Sequence, residues 1–80
     1  MIDPHKLAAI IRIHRKEAGL SQAQLAEMSG IGKTAVFDIE SGKKTVRLDT
    51  LNKILKVLNI KVHLTSPLLN QLQINRNEKS

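Results

Sequence analysis

Cysteine is absent from the 80 residues, so neither a disulfide framework nor a thiolate metal site is available, as fits a reducing cytoplasm. Aromatic side chains are nearly absent as well. Phe37 is the only one, which argues against recognition of single strands or RNA on stacked aromatic platforms. No apolar run approaches the ~20 residues that cross a bilayer. The longest are of the kind seen at Leu7 to Ile11, and the opening MIDPHK lacks the apolar core of a signal peptide. The expectation is a cytoplasmic protein without a membrane partner. Acid is also scarce: 7 Asp and Glu stand against 13 Lys and Arg, and the formal charge of +6 points to a polyanionic partner. His5, His14 and His63 have no metal-ligand spacing and no clustered carboxylates beside them. No Ser/His/Asp or paired-carboxylate arrangement stands out either, so neither a metal, a cofactor nor an enzyme is expected. A chain this short buries only about 60% of its unfolded surface. A homodimer would relieve that shortage.

What the chain does contain raises a choice at SGIGKTAVFD, residues 29–38. A Walker A loop reads G-x-x-x-x-G-K-[ST], with two glycines letting the backbone wrap phosphates. Gly32, Lys33 and Thr34 match its second half, but Glu27 occupies the place of the first glycine, where its charge would repel phosphate. The residues before it, QAQLAEM, look helical where the motif requires a strand. A nucleotide loop is rejected.

Helical signals dominate the rest. Asp3-Pro4 reads as an N-cap followed by proline at the first helical position. Leu7, Ile10, Ile11, His14 and Ala18 then recur at helical spacing until Gly19, predicting a first helix over 4–18 with His14 in its core face. Ser21 and Gln24 form the S-x-x-Q pattern of a capping box and open a second helix, about 22–28, that ends at Ser29-Gly30. A third runs from Lys33 to Glu40, with Val36 and Ile39 inward and Lys33, Thr34, Phe37 and Asp38 opposite. After the basic connector Lys43 to Arg47, a fourth helical face is formed by Leu48, Leu51, Ile54, Leu55 and Leu58, with Asn59 as a left-handed terminus.

The period then changes. Ile60, Val62 and Leu64 alternate with Lys61, His63 and Thr65, as in a strand. A lone strand leaves its backbone groups without partners, and the chain offers no second candidate. The economical solution is antiparallel pairing with the same strand of a second copy across a two-fold axis. Residues 1–65 are thus expected to form one domain. Residues 66–80 should form a C-terminal segment, partly helical or disordered.

Two short helices joined by a glycine turn make a helix-turn-helix candidate. Ala26 is small enough for the helices to cross closely, Gly30 supplies a positive φ, and Val36 fills the angle between them. Leu25, Ile31 and Ile39 are further buried positions. The segment SQAQLAEMSGIGKTAVFDIESGKK resembles the Cro/C1-type, or Xre-type, helix-turn-helix regulators, with the resemblance covering about residues 5–60. The ending LDTLNKILKVLNIKVHLTSP looks most like the HipB-type antitoxins. The resemblance implies an all-α, compact four- to five-helix lambda-repressor-like domain with one short C-terminal β-strand paired across a homodimer. It also implies a sequence-specific repressor of double-stranded DNA that reads an inverted-repeat operator, autoregulates its operon and binds a HipA-like Ser/Thr kinase toxin.

In such regulators the third helix enters the major groove, which places Gly32, Lys33, Thr34, Phe37 and Asp38 at the reading positions. Lys33 can donate to guanine, Thr34 can bond a base or touch a thymine methyl, Phe37 can contact a thymine methyl, and Asp38 can accept from cytosine. Phe37 facing the core instead is the alternative. Ser21 and Gln22 at the start of the second helix, with Lys43, Lys44, Thr45 and Arg47 after the third, are expected on phosphates. Arg15 and Glu40 match positions that form an ion pair within the family. A stand-alone phage-like repressor, or an interaction module that mainly inhibits a partner, are the competing functions.

Overall fold

The computed structural model describes residues 3–63, and they form four helices: α1 (Pro4–Glu17), α2 (Gln22–Ser29), α3 (Lys33–Glu40) and α4 (Leu48–Val57). The starts of α1 and α2 each have a chemical cause. Asp3 accepts a hydrogen bond from the His5 amide at 2.9 Å, and Pro4 follows where no amide donor is required. Ser21 Oγ accepts from the Gln24 amide at 3.0 Å, while Gln24 Oε1 accepts from the Ser21 amide at 2.8 Å. Two amides that helix geometry leaves without partners are thereby satisfied. Ser21→Ala is expected to lower stability by about 1 kcal/mol in chemical denaturation; an unchanged midpoint would show that water replaces the cap at no cost.

Gly30 closes α2 in the left-handed conformation, at φ 71°, and turns the chain toward α3. A side chain there would be strained by its own backbone even though nothing crowds the site. The turn sets the two helices across one another. Ala26 and Val36 are buried at their crossing, and Leu25, Ile39, Ile11, Leu51, Ile54 and Leu55 complete a single core. Ile31 packs against it half-buried.

Two sequence-based expectations about the core are corrected. His14 is exposed, its Nδ1 donating to the Ile10 carbonyl at 2.7 Å, and Ile10 and Ala18 are exposed as well. The buried face of α1 consists of Ala8, Ile11 and Arg15, with Leu7 half-buried. Positions 14 and 15 both follow Ile11 by about one turn, and the buried one is the residue with a partner on another helix. On α4, Leu48 is 71% exposed. It is the first residue of the helix, one turn ahead of Leu51, where the core begins.

Among the described residues there is no strand. Residues 60–63 continue past α4 without regular structure, Ile60 half-buried and Val62 exposed. A strand that pairs only across a dimer has no partner within one chain, and Leu64 lies outside the described residues, as does the segment 66–80.

Candidate nucleic-acid interface

The third helix is held to the body by its back and by its end. Val36 and Ile39, three residues apart, face the core and are essentially solvent-free. Lys33 and Phe37, four apart, share the opposite face with Thr34, and all three are exposed. Phe37 is 56% exposed, which resolves the choice between groove and core in favour of the outer face. Gly32 caps the helix without a side chain, leaving the backbone accessible at its first turn.

At the far end, Glu40 is tied into a polar knot that spans three helices. Arg15 Nε donates to Glu40 Oε2 at 2.6 Å and Arg15 Nη2 to Oε1 at 2.9 Å, a two-pronged carboxylate grip. Arg15 Nη1 donates to the Leu20 carbonyl at 2.9 Å, and Gln22 Nε2 reaches Glu40 Oε1 at 3.3 Å. The two charged side chains are only 11% and 4% exposed. The hydrogen bond to Glu40 holds the Arg15 guanidinium above its ordinary pKa; burial opposes this and the Glu40 charge adds to it. Satisfied on every side, the pair fixes the angle of α3 against α1 and the start of α2.

The remaining sequence-derived positions are divided. Asp38 is half-buried, one turn after Thr34, and its carboxylate accepts from Lys43 Nζ of the connector at 3.4 Å. It also lines a small cavity of about 140 Å³ with Thr45, Val46 and Arg47. Lys44 and Thr45 are exposed, and Arg47 lies 3.3 Å from Asp49 in a solvent-washed pair. Such exposed pairs contribute under ~1 kcal/mol and leave the cation free to exchange partners. Ser21 is engaged in its capping box, and the Gln22 side chain turns toward Glu40.

One residue outside these sets joins the same face. Arg12 lines a cleft of about 240 Å³ with Arg15, Gln22, Phe37, Glu40 and Ser41. Its spacing of three from Arg15 was the available signal, since residues three apart are neighbours on a helix.

Among the described residues no group of His, Cys, Asp and Glu is placed to hold a metal ion, and no helix is long and apolar enough to cross a membrane. A family profile described as helix-turn-helix matches residues 11–64, which includes all of α2 and α3. The chain belongs to that family of DNA-binding transcriptional regulators, the Cro/C1 or Xre type. This regulator is 33% identical over 64 residues to the HTH-type transcriptional regulator y4mF of Sinorhizobium fredii (strain NBRC 101917 / NGR234), covering 80% of this chain and 84% of the relative. It is 41% identical over 56 residues to the control protein C.SmaI of Serratia marcescens, covering 70% and 67% of the two chains. Among solved structures, a chain of the HipA-HipB-O2-O3 complex superposes on the regulator with a TM-score of 0.74 at 27% identity, covering 84% of this chain and 94% of that one.

Proposed function

We propose that the regulator is a dimeric repressor that reads an inverted-repeat operator through α3 and serves as a HipB-like antitoxin. It would autoregulate its operon and bind a HipA-like Ser/Thr kinase. The observation that carries the DNA half of this reading is the exposure of Lys33, Thr34 and Phe37 together on one face of a helix whose other side is locked by Val36, Ile39 and the Arg15–Glu40 pair. Rigid presentation of a few side chains is what a groove reader requires, because a misaimed helix loses every base contact together. Lys43, Lys44 and Arg47 supply phosphate attraction beside it, with the first turn of α2.

The dimer is supported at the other end of the molecule. Leu7, Ile10, Leu55, Ile60 and Val62 line an apolar groove of about 420 Å³ beside Lys6 and Lys61. Ile60 and Val62 are the residues whose alternation suggested a shared strand, and a second protomer would cover this face. Two reading helices would then lie about 34–36 Å apart, one DNA turn. The antitoxin half rests on the similarity to the HipB complex in fold and length.

The 37% identity over 60 residues to the ImmF control region 10 kDa protein of Bacillus phage phi105 favours a second reading, a stand-alone phage-like repressor without a toxin. Co-purification with a HipA-like kinase and inhibition of its phosphorylation activity separate the two. For the DNA half, Lys33→Ala with Thr34→Ala is expected to weaken binding to a duplex selected from a random pool by about 1–3 kcal/mol per lost base contact. Binding to a scrambled duplex should change much less. Anisotropy titrations that show equal loss on both duplexes would sink base reading by α3.

A further inference from the structure

The cleft between α1 and the C-terminal end of α3 contains two guanidinium groups and one carboxylate. Glu40 is consumed by Arg15, which occupies both of its oxygens. Ser41 Oγ donates to the Phe37 carbonyl at 2.7 Å. Arg12 is the cation left over: it forms no ion pair or hydrogen bond with any described residue. Its helical neighbours at three and four residues are Ala8, Ala9, Arg15 and Lys16, so α1 itself offers no carboxylate to it. The cleft therefore carries one uncompensated positive charge, in an exposed residue, beside Phe37 on the outer face of α3.

We propose that Arg12 is a phosphate-contacting residue of the DNA interface, gripping a backbone phosphate at the rim of the groove that α3 enters. This rests on the DNA-reading function proposed above and extends it to a helix outside the helix-turn-helix pair. Two features favour a phosphate over a base edge. Arg12 stands on α1 and not on α3, the helix proposed to enter the groove. The neighbouring Arg15–Glu40 pair is neutral as a unit, so a phosphate entering the cleft meets attraction from Arg12 without net repulsion from Glu40.

The test is a salt series on the full chain with Arg12→Ala and Arg12→Lys, using the pool-selected duplex and its scrambled counterpart, with helicity checked by circular dichroism. Losing one phosphate contact per protomer should flatten the plot of log K against log salt by about 0.9 per protomer. At 0.1 M salt that corresponds to roughly eightfold weaker binding per protomer. The loss should be equal on both duplexes, and Arg12→Lys should keep the slope of the natural protein. An unchanged slope in Arg12→Ala overturns the assignment, as does a loss confined to the selected duplex, which would make Arg12 a base reader. A natural protein with no salt-dependent affinity for either duplex overturns the DNA reading itself, and this assignment with it.

Discussion

Glu40→Ala is expected to destabilise the protein by about 3–5 kcal/mol, because it strands the Arg15 guanidinium in a site that shields it from water. Arg15→Ala should cost a similar amount for the converse reason, and the double variant should cost less than the sum of the two. A chain of 80 residues holds on the order of 4–12 kcal/mol in all, at about 0.05–0.15 kcal/mol per residue. Either single change thus removes a large share of it. Urea denaturation of the three variants measures the coupling. Costs below ~1 kcal/mol would mean that the pair behaves as an exposed one. The raised pKa of Arg15 gives the pH dependence its sign: this contribution is fully present below the unfolded-state value and is lost only as pH rises through the still higher folded-state value. Both lie far above neutrality, so titration of Arg15 leaves stability flat across the physiological range.

Leu25→Ala should cost about 2–5 kcal/mol, the sum of lost burial and the cavity left behind. Leu25 is fully buried in α2, among the residues that join the helix-turn-helix pair to α4. Leu48→Ala is the control. It removes the same atoms from a largely exposed position and should stay within about 0.5 kcal/mol of the natural protein. Similar losses for the two leucines, measured by thermal or urea unfolding, would show that the core is assigned to the wrong face of α4.

The starts and ends of the helices were legible because they are set by neighbours in sequence. The capping box at Ser21 and Gln24 and the left-handed Gly30 bring together groups only a few residues apart. The inward stripe of α3 was equally readable, since Val36 and Ile39 leave one face for Lys33, Thr34 and Phe37. What escaped the sequence depends on distant partners. A 3.6-residue period cannot choose between His14 and Arg15; the choice is made by Glu40, 25 residues away. The link between Asp38 and Lys43 was likewise illegible, because it follows the path of the connector, which no local pattern specifies. Arg12 was missed for a related reason: its cleft exists only once α1 and α3 are packed together.

The division of labour along α3 also bears on how such a protein can change over generations. Val36, Ile39 and Glu40 hold the helix in place, while Lys33, Thr34 and Phe37 contribute little to that hold. Substitutions at exposed positions usually leave stability almost untouched. Under the proposed reading by α3, operator preference can therefore drift, or be duplicated and diverge, without passing through poorly folded intermediates. Eight residues serve as an anchor with an exchangeable label.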